Sequence, residues 1–142
     1  MRPVGPAFAN PSMGVAASAL RAQQARMRVI AENIANADST AQTAGGQPYR
    51  RQVPMMEAEE GRGLNPGGVQ MTGVRPDMSP LRREYDPSHP AADAEGYVSL
   101  PNVEPLVEAL DMREAQRAYE ANLNVIETAR AMDSRTLEIL RR

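Results

Sequence analysis

The chain has 142 residues, with 16 basic and 18 acidic side chains and a formal net charge of −2. That length holds one domain, or one small domain with appendages, and so small a charge supplies no field that would argue for nucleic acid. With no Cys and a single His, disulfides, thiolate nucleophiles and ordinary zinc sites are excluded.

Every basic residue is Arg, and apart from the pairs Arg50-Arg51, Arg82-Arg83 and Arg141-Arg142 they are scattered. There are one Phe, four Tyr and no Trp, and much of the apolar fraction is Ala and Met. Such a composition makes helical seams but fills a large core poorly. It predicts a weakly folded monomer that gains stability from partners. No apolar run approaches the roughly 18 residues of a membrane span. Residues 1–8 lack the apolar run of a signal peptide, so work outside the cytoplasm would need another route of export.

In chain order, residues 1–10 read as a flexible leader with two prolines. Asn10-Pro11 suits a helix start, since Asn caps well and Pro at the first helical position has no N–H to lose. Residues 11–38 then form a first coiled-coil helix. Its seam is Met13, Ala16, Leu20, Gln23, Met27, Ile30, Ile34 and Ala37, spaced alternately by three and four. It closes on Ala31-Glu32-Asn33-Ile34-Ala35-Asn36-Ala37-Asp38-Ser39, which puts Asn33 and Asn36 on one helix face. Two readings stand open: Asn36 ends the helix in the left-handed conformation, or both amides are buried in a helix–helix contact and fix its register.

Residues 39–101 carry most of the Gly and Pro, which excludes long helices. Gln52-Val53 and Gly68 to Val74 are strand candidates, and Gly67-Gly68 suits a hairpin turn. Residues 57–63 read as a solvated loop. Disorder and short partner-dependent strands both fit this segment. Residues 102–142 form the second coiled-coil helix, with Asn102 as N-cap and no Gly or Pro after Pro105. Its apolar face has two rows: Ala118, Val125, Met132 and Ile139, and Met112, Tyr119 and Ile126 continued by Asp133. The expected fold is mainly α, with long N- and C-terminal helices packed as an antiparallel coiled coil and a Gly/Pro-rich middle of extended chain and short β-strands.

Catalytic chemistry is hard to find. His89 sits between Pro87 and Pro90 and reads as part of a rigid turn. Asp111, Glu114, Glu120 and Glu127 read as solvated helix charges, and Gly61-Arg62-Gly63 lacks the Lys and the context of a phosphate loop. No catalytic residue, cofactor or metal is expected.

Asn33-Ile34-Ala35-Asn36-Ala37 at the end of a first helix resembles the signature of the flagellar basal-body rod proteins and their relatives in the axial rod and hook. The stretch from Arg117 to Val125 is similar to the C-terminal signature of axial proteins. Gly46 to Arg51, and the run from Ser79 through Tyr85-Asp86-Pro87-Ser88-His89-Pro90 to Gly96-Tyr97-Val98 and Pro101-Asn102-Val103, resemble one type within that family, the FlgC type. Together these cover most of the chain from Gly14 onward, whereas residues 1–11 and 57–66 depart from the pattern.

The resemblance implies a structural subunit of the proximal rod, in the periplasm, transmitting torque from motor to hook. It implies helices packed in an inner layer, neighbours that are copies of the chain and rod proteins of the FlgB, FlgF and FliE types, and delivery by the flagellar type III export apparatus without a cleaved signal peptide. Nucleic acid and a membrane span are not expected. Under that reading Leu20, Met27, Ile30, Ile34, Tyr119, Val125, Ile126 and Met132 are expected at subunit interfaces, with Asn33, Asn36 and Asn122 fixing register. The alternative from composition alone is a soluble coiled-coil binding module or secretion chaperone.

Overall fold

The computed structural model describes residues 10–142. The expected leader lies outside them except for Asn10. Helix α1 spans Pro11–Ala35, and the Asn10 side chain accepts a hydrogen bond from Ser12 N, leaving Pro11 at the first helical position as the sequence predicts. At the other end Asn36 does not take the left-handed conformation; its φ is −103° and ψ 12°. Its side-chain amide instead donates back to the Glu32 carbonyl at 2.9 Å, which also accepts the Asn36 backbone N–H at 3.1 Å.

Helix α2 spans Pro105–Leu140 and is 36 residues, about 54 Å, long. It outruns α1, which at 25 residues is about 38 Å. Asn102 is not its N-cap. Glu104 holds that position without a side-chain hydrogen bond, and Pro105 opens the helix. The Asn102 side chain is engaged elsewhere: it accepts from Arg51 N and donates toward the carbonyls of Asp77 and Ser79. Pro101 and Val103 are both buried, the chain bends between them at Asn102, and it is extended at Glu104 just before the helix.

Between the helices lie two antiparallel hairpins. Strand β1 (Gln52–Glu59) pairs with β2 (Gly68–Pro76), from Gln52 opposite Pro76 to Glu59 opposite Gly68. Thr72 is an extra residue at a bulge beside Met55 and Met56. Glu57, Ala58 and Glu59 thus belong to a strand rather than to a loop. The turn closes at Gly67, with φ +81°. Gly68 lies so close to α1 that a Cβ there would collide with the Ser18 hydroxyl, which accepts from Val69 N at 3.1 Å. Strand β3 (Arg82–Tyr85) pairs with β4 (Tyr97–Leu100), a hairpin that the residue pattern does not announce.

Helix α1 packs against α2 and also against the first hairpin. That explains why its buried residues, Ala16, Ser18, Ala22, Val29, Ile30 and Asn33, do not follow a single heptad seam: two neighbours cover two stripes. The core is thin and built largely of small side chains, among them Ala16, Ala22, Ala115 and Ala129.

Candidate assembly surface

At the end of α1 a polar cluster joins three elements. Asn33 is fully buried. Its amide oxygen accepts from Gln52 N at 2.8 Å and from the Tyr49 hydroxyl at 2.6 Å. Its amide nitrogen donates to Gln52 O at 2.8 Å and lies 3.4 Å from Glu108 Oε2. One side chain therefore binds both backbone groups of the first residue of β1, as a neighbouring strand would.

Glu108, on the first turn of α2, is equally buried, and its other oxygen accepts from Arg51 Nε. Arg51 also faces Asp111 at 3.3 Å and Asp77 at 3.6 Å. Burial alone would weaken the guanidinium's hold on its proton. The Glu108 hydrogen bond and the charges of Glu108, Asp111 and Asp77 outweigh that and hold it above its usual range. Hydrogen bonds from Ser79 backbone and hydroxyl, ahead of Arg51, keep Asp77 below the usual carboxylate range. Burial, with the charges of Glu32 and Glu108, pushes the Tyr49 phenol up. Arg82 makes a similar tie nearby, donating to the Ala37 and Pro101 carbonyls at 3.0 and 3.1 Å.

The far end of α2 is built differently. Its covered row is Glu108, Ala115, Asn122 and Ala129, spaced by seven, all buried or half-buried. The row Met112, Tyr119, Ile126 and Asp133 is half-buried beside it. In the other expected row Ala118 is half-buried and the rest is open: Val125, Met132 and Ile139 are 44%, 60% and 72% exposed, with Leu137 and Leu140 exposed around them.

The residues expected at subunit interfaces thus fall into three settings. Ile30 and Asn33 are enclosed within the chain; Leu20, Met27, Asn36, Tyr119, Asn122 and Ile126 are half-buried; and Ile34, Val125 and Met132 are exposed. The Asn122 amide donates only to its own helix, to Ala118 O at 2.7 Å. Sequence reasoning missed Tyr49, Arg51, Asp77, Asn102 and Glu108 as partners in the polar cluster. Only Glu108 stands on a regular spacing, seven residues before Ala115, and nothing in that spacing points to the other four. His89 does serve its turn, with Nδ1 accepting from Ala91 N at 3.0 Å. Among the described residues no helix is long and apolar enough to cross a membrane, and no His, Cys, Asp and Glu side chains group to hold a metal.

Residues 13–41 match the family described as flagella basal body rod protein, and residues 94–139 match the flagellar basal body rod FlgEFG protein C-terminal family. The chain is 43% identical over 129 residues to the flagellar basal-body rod protein FlgC of Agrobacterium fabrum, covering 89% of this chain and 91% of that one. It is 39% identical to FlgC of Salmonella typhimurium, covering 88% and 92%. It is 42% identical to FlgC of Borreliella burgdorferi, covering 91% and 95%. The chain belongs to the FlgC family of flagellar basal-body rod proteins. The FlgC family is one of structural rod subunits, which decides against the chaperone alternative. The first family match takes in most of α1 together with Asn33 and Asn36, and the second takes in β4 and nearly all of α2.

Proposed function

We propose that this FlgC-family chain is a subunit of the proximal, periplasmic part of the rod and transmits torque from motor to hook through helices interlocked with those of its neighbours. The observation that carries this reading is the open row Val125, Met132 and Ile139, which runs from beside the start of α1 to the last turn of α2. An apolar row left in water is worth about 25 cal/mol for each Å² that a neighbour covers. The two helices act as an antiparallel coiled coil. Asn33, late in α1, meets Glu108, early in α2; Arg26 lies 3.6 Å from Glu114; and Asn10 and Ser12 share a groove with Val125 and Met132.

The interface residues divide by exposure. Ile34, Val125 and Met132 make direct contact with neighbours, Leu20, Met27, Tyr119 and Ile126 line its edges, and Ile30 backs it from inside. Asn36 and Asn122 fix register there, while Asn33 fixes it from within the chain. The neighbours are copies of the chain and rod proteins of the FlgB, FlgF and FliE types. Delivery is by the flagellar type III export apparatus without a cleaved signal peptide, a route suited to a thin core that gains order on assembly.

Peptide mass spectrometry of purified hook–basal bodies tests this. The chain is expected in a fixed ratio to other rod proteins. Its absence there, with a soluble helical oligomer in the cytoplasm instead, would overturn the reading.

A further inference from the structure

The first hairpin and α2 lie on different flanks of α1: each packs against it, and they do not pack against each other. The hairpin runs along α1 from Gln52, held by Asn33, to Pro66, which sits against Gly14 on the first helical turn. Its tip is a built turn. Asn65 N donates to Arg62 O at 3.0 Å, and Asn65 Oδ1 accepts from Gly67 N at 3.0 Å. Gly63 takes the left-handed conformation, with φ +60°, and Leu64 beside it stands wholly in solvent. An apolar side chain on a fixed turn loses little freedom when something covers it.

At the same end of the molecule, on the α2 flank, lies a groove of about 390 Å³. Its α2 wall is Val125, Thr128, Ala129 and Met132, and Asn10 and Ser12 form the rim on the α1 side. The four wall residues stand at i, i+3, i+4 and i+7, the positions that form the hole for an incoming knob in coiled-coil packing, and Leu is a common knob. Ala129 is the buried floor, and Val125 and Met132 are open walls. Leu64 of the same chain does not line this groove.

Charge says what kind of neighbour brings the two together. The hairpin end carries Glu57, Glu59 and Glu60 against Arg62 alone. From residue 130 onward α2 carries Arg130, Arg135, Arg141 and Arg142 against Asp133 and Glu138. All of these but Asp133 are exposed, and among the described residues none is in an ion pair. An acidic flank and a basic flank at one end of the chain favour a second copy set beside the first and pointing the same way. Neither family match covers residues 57–66, so family membership assigns this turn no contact.

We propose that Leu64 of one copy fills the groove of a second copy beside it, with the acidic hairpin end against the basic end of α2. Knob and hole are different patches, so the contact is heterologous and repeats from copy to copy. It rests on the rod reading for the placing of copies side by side, and adds the residues that meet.

The chain has no Cys. Leu64→Cys and Thr128→Cys can therefore be put into two separate full-length chains made in the same cells, where a disulfide joining them can only bridge copies. In oxidised, purified hook–basal bodies a linked pair of the two chains is expected, and neither chain should link to itself. Leu64→Asp, at a wholly exposed site, should abolish swimming, and Leu64→Met should keep it; where the cysteine chains do not assemble, this contrast decides alone. Basal bodies that hold both chains without the link would overturn the proposal and leave the rod reading standing. So would links formed as readily by either chain alone, normal swimming of Leu64→Asp, or its loss in Leu64→Met. Absence of the parent chain from hook–basal bodies would overturn the rod reading and this contact with it.

Discussion

The two ends of α2 solve opposite problems. At the first turn Glu108 is buried and satisfied within the chain, by Arg51 from the start of the first hairpin and Asn33 from α1. Beyond Met132 the helix exposes Leu137, Ile139 and Leu140. A buried charge must find its partner inside one subunit, because leaving it unpaired is costly. An apolar row tolerates exposure and gains whenever something covers it. The polar end therefore fixes how the hairpin and helices sit on one another, and the apolar end is the part that the proposed rod contacts would cover.

If that division is right, the largest single loss on the folded chain comes at the polar end. Arg51→Ala leaves the Glu108 carboxylate buried and unpaired, and should destabilise by about 3–5 kcal/mol. Pairing it with Glu108→Met should restore much of that, since replacing a buried ion pair by apolar groups is often close to neutral. Denaturant midpoints of the single and double variants check this. A double variant as unstable as the single would break the argument. Asn33→Leu comes next. It strands Gln52 N and O, groups that cost about 1–3 kcal/mol each when buried without a partner. Limited proteolysis should then cut first around β1.

The contrast also marks what a sequence shows and what it hides. Helix α1 was legible because Asn10-Pro11 is a local start device, and α2 because nothing after Pro105 breaks a helix. The polar cluster was not, because Arg51 and Glu108 are 57 residues apart and no local pattern joins them. The covered row of α2 was hidden by its own makeup: Glu108, Ala115, Asn122 and Ala129 lack the bulk by which a seam is usually read. The β3–β4 hairpin escaped for a related reason. Arg82 to Tyr85 are all exposed, so alternation of apolar and polar residues never appears. Asn102 misled because a good N-cap residue is also a good hydrogen-bonding partner for a distant backbone, and here the distant partner wins.

A smaller effect tests the polar end by pH. Tyr49 donates to Asn33 at 2.6 Å, and its phenol is held above its usual value by burial and by Glu32 and Glu108. A folded pKa above the unfolded one gives stability that is complete below about pH 10 and falls as pH rises through the folded value. Tyr49→Phe should cost about 0.5–1.5 kcal/mol at neutral pH. Above pH 10 the gap between the parent and the variant should close. Unfolding midpoints at pH 7 and above pH 10 decide it, and a constant gap would remove Tyr49 from the cluster's energetics.

The smallest effect on the folded chain belongs to the open end, and there it separates folding from assembly. Val125 is 44% exposed and Asn122 bonds only to its own helix, so Val125→Asp and Asn122→Leu should each change stability by less than about 0.5 kcal/mol. In the rod the two should part. Val125→Asp puts a charge into a seam that a neighbour is meant to cover, and should stop rod assembly and swimming while the subunit is still exported. Asn122→Leu leaves the open row untouched and removes only an amide from the covered one, so it should assemble and disturb register at most. Normal swimming of Val125→Asp would show that no neighbour covers this row. A Val125→Asp chain that loses its own stability would show that the row is covered within the chain, and the two ends of α2 would no longer be different in kind.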